Sequence, residues 1–188
     1  MEIHLSGKNY DPDFLRKIEK ESGQNVNLCF QCKKCTAGCP AVWAMDLTPT
    51  QIIHAARLGL KDLVFNSKTI WFCLSCETCT TRCPQDVDIA KVMDAVRILA
   101  QKEKVKPKVP EVVAFYKSSL GAIKRFGRLY ELGLIGELKL RTMNFFQDLT
   151  LGMKMFRKGK LKIFPKFVNV LDVNKMLYRI KKMEKVKK

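Results

Sequence analysis

Histidine is all but missing from this chain of 188 residues, with His4 and His54 its only imidazoles. That argues against a haem held by a histidine pair, and no Ser/His/Asp arrangement stands out either. His54 sits beside Ile53 and Ala55 and reads as a structural or surface residue. A glycine-rich dinucleotide loop is missing as well, so no residue is nominated as catalytic. Long apolar runs are equally absent. The longest candidate, Leu132 to Met153, is broken by Glu137, Lys139, Arg141 and Asp148, which excludes a simple membrane span. The opening residues MEIHLSGKNYDPDF lack the apolar core of a secretion signal. The expectation is a cytoplasmic protein.

Acidic residues are scarce, and unevenly so. Residues 1–106 carry 15 Lys+Arg against 12 Asp+Glu, whereas residues 107–188 carry 20 against 6. The change falls at Lys106-Pro107-Lys108-Val109-Pro110, where two prolines discourage a continuous helix. We therefore expect a nearly balanced domain over 1–106 and a basic extension over 107–188. The apolar content of 47% is enough to bury a core.

Cysteine is what the chain does have, and all eight lie in the first part. In a reducing compartment, eight cysteines point to metal rather than to disulfides. They form two runs, Cys29-x2-Cys32-x2-Cys35-x3-Cys39-Pro40 and Cys73-x2-Cys76-x2-Cys79-x3-Cys83-Pro84. Three thiolates two residues apart can wrap three iron corners of a cubane, while the fourth iron needs a ligand from elsewhere. Zinc knuckles also use C-x2-C pairs, but a third cysteine two residues on, twice over, has no role in them.

Each run resembles that of bacterial two-cluster ferredoxins, in which the fourth cysteine serves the other cluster. The resemblance implies a cluster I held by Cys29, Cys32, Cys35 and Cys83, and a cluster II held by Cys73, Cys76, Cys79 and Cys39. Folding and metal binding would then be coupled.

The two runs start 44 residues apart, at Cys29 and Cys73, and the chain between them reads as helical, without alternating strand patterns. Asp11-Pro12-Asp13 opens a helix carrying Phe14, Leu15 and Ile18 that ends at Gly23. Thr48-Pro49-Thr50-Gln51 supplies a cap, an N1 proline and a capping-box glutamine, and Ile52, Ile53, Ala56 and Leu60 follow, with Gly59 as a stop. A short turn is expected over Asp62 to Asn66. Asp88 caps a helix with Ile89, Val92, Met93, Val96 and Leu99. The expected class is all-α, and the pattern resembles an alpha-helical ferredoxin domain with two cubane clusters between helices, plus a basic helical extension.

This pattern resembles the iron–sulfur subunits of succinate dehydrogenase, fumarate reductase and heterodisulfide reductase. Many dehydrogenase subunits use the first run for a three-iron cluster; both runs here are complete, which favours two [4Fe-4S] clusters. The segments NLCFQCKKCTAGCP and WFCLSCETCTTRCP, the size and the basic tail resemble the small C-type component of heterodisulfide reductase and its relatives in sulfur oxidisers. That resemblance implies electron relay between a flavin-bearing A-type subunit and a disulfide-active B-type subunit. A free ferredoxin-like carrier, or a subunit of another membrane-linked dehydrogenase, are the alternatives.

Lys33 and Lys34 lie in the first run where the second has Glu77 and Thr78. They read as raising the potential of cluster I, as a docking patch, or as a solvated loop. Trp43 and Trp71 are expected to pack over the clusters and exclude water. In the tail, helices are expected from Pro110, over Glu137 to Arg157, and from Asp172 to Lys185. With Phe145, Phe146, Phe156, Phe164 and Phe167, the tail reads as a docking arm for an acidic partner. Peripheral membrane contact is the runner-up, and no nucleic-acid motif accompanies the charge.

Overall fold

Aspartate, threonine and proline set the starts of the helices, and glycine sets several of their ends. The computed structural model describes residues 10–143, 149–159 and 168–186. His4, Phe145, Phe146, Phe164, Phe167 and the Phe156 side chain lie outside what is described. Among the described residues there are helices and no strands, so the all-α expectation holds. The chain divides into two compact units at Pro110/Glu111.

In the first unit, α1 (Phe14–Ser22) follows Asp13 and closes on Gly23, whose left-handed backbone sends its amide to the Glu19 carbonyl. Two short helices, α2 (Lys34–Ala37) and later α6 (Thr78–Thr81), lie inside the two cysteine runs. The sequence reading missed both, because one helical turn is too short to show a periodicity. The third helix, α3 (Pro49–Arg57), carries the full capping box of Thr48 and Gln51. It ends before Gly59, so Leu60 falls outside it and instead precedes α4 (Lys61–Phe65). Gly59 has φ +69°, and a Cβ there would stand 2.7 Å from the Asp11 carbonyl oxygen. Only glycine fits. After α5 (Thr69–Phe72) comes α7 (Ile89–Lys102), capped by the Asp88 carboxylate on the Lys91 amide.

These helices bury one core. Phe14 and Ile18 of α1, Ile52 and Ile53 of α3, Val64 of α4, Ile70 of α5 and Val92, Met93 and Val96 of α7 are all sealed from solvent. Each such burial contributes about 1.5–3 kcal/mol. Phe14 meets Phe65 edge-to-face at 5.2 Å. Lys102–Glu21 and Lys61–Glu103 close the rim.

The first unit is also internally repeated, each cysteine run being followed by a capped helix. Thr36 and Thr80 follow the third cysteine of each run. Their hydroxyls accept the amides of Thr50 (3.3 Å) and Ala90 (3.4 Å), the second residues of α3 and α7. Each run is thereby fastened to the N-terminus of its own helix.

The second unit holds α8 (Pro110–Phe126), α9 (Glu131–Thr142), α10 (Leu149–Arg157) and α11 (Val170–Val186). The helix expected over Glu137 to Arg157 is therefore two. Met143, at φ +57°, turns the backbone out of the helical path after Thr142. Glu137 of α9 pairs with Arg125 at 3.1 Å and Arg141 at 2.7 Å. The start of α11 is tied to α8 by Val168 N–H to Phe126 C=O and by Asn174 to the Lys124 carbonyl. Gly127 lies where a Cβ would overlap the Val168 carbonyl. No helix among the described residues is long and apolar enough to cross a membrane.

Candidate metal centre

The spacing of each run has a backbone signature. Gln31 and Lys33 in the first run, and Ser75 and Glu77 in the second, take positive φ of 58°, 64°, 47° and 60°. These positions flank Cys32 and Cys76 identically. A non-glycine residue pays about 1–2 kcal/mol in this region, so the two loops are held bent by their surroundings. Alternation of this kind turns successive amides toward a common concave side, the geometry that gathers negative charge at iron–sulfur sites.

Two recesses result, of about 420 and 310 Å³ including their open mouths. The smaller is lined by Cys29, Cys32, Cys35 and Cys83 (recess I). The larger is lined by Cys73, Cys76, Cys79 and Cys39 (recess II). Each therefore brings together three cysteines of one run and the last cysteine of the other, with Ile89 of α7 lining both. Four cysteines around one recess are the donor set that a cluster with a thiolate at each metal corner would take.

Side chains hold the runs in place. Arg57 of α3 donates to the Cys29 carbonyl at 3.0 Å. Arg97 of α7, at the equivalent position of its helix, donates to Cys73 (2.9 Å) and Ile70 (2.8 Å) carbonyls. Each arginine thus fixes the entry to its own run. Replacing Arg97 by methionine keeps the stem packed but leaves two carbonyls without their charged donor. The expected cost is about 1.5–3 kcal/mol, with faster loss of recess II iron than recess I iron to a chelator, read from the visible absorbance.

Asp46 anchors the second run from a distance. Its carboxylate accepts from the Ser67 hydroxyl (2.5 Å), the amides of Lys68 (2.9 Å) and Thr69 (3.2 Å) and the Thr69 hydroxyl (3.1 Å). It therefore caps α5, the helix that delivers Cys73 and that has no side-chain cap of its own. Burial pushes the Asp46 pKa up, but the bonds from Ser67, Lys68 and Thr69 outweigh it and hold the carboxyl below its usual range.

The thiols are not alike. Burial raises Cys73, and it raises Cys79 to about 11, with the neighbouring Cys73 adding to it. The Thr78 hydroxyl, 3.4 Å from its sulfur, lowers Cys76. Cys73 and Cys79 therefore hold their protons until a strong cation displaces them, so metal uptake at these two sulfurs releases protons and strengthens with pH. In recess I, Gln31 donates to Cys29 Sγ at 3.3 Å and Thr50 Oγ1 lies 3.2 Å from Cys35 Sγ.

The tryptophans depart from expectation. Trp43 is 86% exposed and donates to the Pro40 carbonyl, Trp71 is buried, and neither lines a recess. A nine-residue loop between Cys39 and α3 turns Trp43 outward. Met45, Met93 and Leu74 provide the apolar lining of recess II instead. Asp46, Arg57, Arg97 and the Thr36/Thr80 pair escaped the sequence reading. The recurrence of Thr48…Arg57 as Asp88…Arg97, a helix cap and an arginine nine residues on, was the available signal.

Residues 28–88 match the 4Fe-4S dicluster domain family, so this part of the chain is an iron–sulfur domain. The relatives are narrower in kind. The chain is 39% identical over 94 residues to the C-type component of the H(2):CoB-CoM heterodisulfide,ferredoxin reductase of Methanothermobacter marburgensis, covering 50% of this chain and 51% of that one. It is 33% identical over 122 residues to the C-type iron-sulfur component of the CoB--CoM heterodisulfide reductase of Methanopyrus kandleri, covering 61% and 64%. The chain spans about half to two thirds of the length of these relatives. Over half or more of its length the chain is similar to the C-type components of heterodisulfide reductases, in line with the resemblance seen in its sequence.

Proposed function

We propose that this chain is the iron–sulfur electron-transfer subunit of a heterodisulfide-reductase-like complex. It would hold two [4Fe-4S] clusters, one on Cys29, Cys32, Cys35 and Cys83 and one on Cys73, Cys76, Cys79 and Cys39. The observation that carries this reading is the pair of four-cysteine recesses sharing Ile89 as a common wall. Bound there, such clusters supply reversible one-electron storage. The chain's own residues fix the ligands through Arg57, Arg97 and Asp46, and line recess II with apolar side chains.

The partners in this proposal are a flavin-bearing A-type subunit and a disulfide-active B-type subunit, in the cytoplasm. Their contact would fall in part to residues 107–188. On α11, Met176, Ile180 and Met183 share one exposed stripe, and Lys175, Arg179 and Lys182 lie beside it by helical spacing. Apolar anchors next to basic charge suit an acidic protein surface.

Anaerobic purification tests this directly. Eight irons and eight labile sulfides per chain are expected, together with co-purification of a flavoprotein and a second iron–sulfur subunit. Zinc in place of iron, or a stable monomer that captures neither partner, would overturn it.

A further inference from the structure

The two recesses repeat each other in backbone but not in chemistry. Both have the same pair of left-handed residues around an exposed middle cysteine, Cys32 or Cys76. Backbone amides and solvent exposure at that cysteine therefore differ little between them. The side chains do differ. Besides its cysteines recess I is lined by Lys33 and Lys34, with Gln31, Thr50 and Gln85 and the apolar Phe30, Pro84 and Ile89, whereas recess II has Ser75 and Thr78 but no charged residue. Side chains bond sulfur in both, Gln31 on Cys29 and Thr50 on Cys35 in recess I, Thr78 on Cys76 and Thr80 on Cys79 in recess II, so the difference lies in charge.

The charge one layer out points the same way. Arg57 behind recess I has no carboxylate partner among the described residues, whereas Arg97 behind recess II is offset by Asp94 at 3.6 Å. That same Asp94 accepts from Ser75 at 2.8 Å, on the lip of recess II. Arg82 lies against Gly38, where the two runs meet next to Cys39 and Cys83, and favours neither.

Adding an electron adds negative charge, which cations and donors to sulfur stabilise and an apolar, acid-flanked site does not. Resting on the two-cluster reading above, we infer that recess I is the higher-potential site and that the domain is a polarised relay, with electrons entering at recess II and leaving at recess I. In such a relay one electron would pass from a cluster held by Cys73, Cys76, Cys79 and Cys39 to one held by Cys29, Cys32, Cys35 and Cys83. A reduced flavoprotein would resupply the first, and a disulfide-active acceptor would drain the second.

The test is a reductive titration of the full, cluster-loaded chain followed by electron paramagnetic resonance. Two one-electron steps are expected, with at least a tenfold preference for the first, about 59 mV for such a couple. Lys33→Gln with Lys34→Gln should lower the higher step and leave the lower one in place. Leu74→Lys, which puts a cation on the lip of recess II, should raise the lower step; both changes narrow the gap. If the lysine pair moves the lower step, or neither step shifts by as much as threefold, the polarity is wrong. Iron and sulfide are counted before any potential is read. A shortfall there fails the two-cluster reading and takes the polarity with it, while a full count with the wrong assignment fails the polarity alone.

Discussion

Replacing Cys39 by alanine is expected to empty recess II while leaving recess I loaded, although Cys39 belongs to the run that supplies recess I. On the proposed ligand set, Cys39 is the fourth ligand beside Cys73, Cys76 and Cys79. Without it that cluster has three thiolates, and iron per chain should fall to about half or to a three-iron form. Cys83→Ala should do the converse, at recess I. Iron and sulfide analysis with Mössbauer or paramagnetic resonance spectra separates these outcomes. If Cys39→Ala instead perturbs the site of Cys29, Cys32 and Cys35, the crossed assignment fails.

Asp46→Ala carries the second large effect. The substitution strips one acceptor from two backbone amides and from two hydroxyls that are themselves buried, those of Ser67 and Thr69. Each is a charge-assisted bond, and losses at one carboxylate are not additive, so the expected cost is about 2–4 kcal/mol. Asp46→Asn keeps an acceptor without the charge and should cost about half as much. The folded carboxyl titrates below the ordinary aspartate range. Its charge therefore contributes fully above the unfolded pKa, and the contribution is lost as pH falls through the folded one. The gap in urea midpoint between the native chain and Asp46→Asn, followed by far-UV circular dichroism, should be constant near neutrality and shrink below about pH 4. A gap that stays constant there would mean that charge is not what holds α5.

Much of this was legible in the residues themselves. Helices α1, α3 and α7 announce themselves because Asp13, the Thr48/Gln51 box and Asp88 are local signals followed by apolar residues at helical spacing. The iron–sulfur domain was legible in the spacing of eight cysteines. What stayed hidden was non-local. Asp46 caps a helix that begins 23 residues later, and Arg97 reaches 24 residues back to Cys73; neither pairing has a signature in the chain order. Trp43 misled for a related reason. Its neighbourhood to Cys39 in sequence says nothing about which way a nine-residue loop will turn it.

The four left-handed residues around the middle cysteines have a consequence for how such a protein can change. Gln31, Lys33, Ser75 and Glu77 bend the loops through their backbones, while the side chains of Lys33, Ser75 and Glu77 stand on the exposed surface. Any residue that tolerates φ near +60° can occupy positions 33, 75 and 77 without removing a bond to a cysteine sulfur, whereas Gln31 also donates to Cys29 Sγ. Asparagine, aspartate and glycine enter most readily, and β-branched residues are shut out. They are adjustable dials set beside a fixed machine. A descendant could acquire a new partner, or a new direction of current, by substitutions at these few sites while all eight cysteines stay where they are.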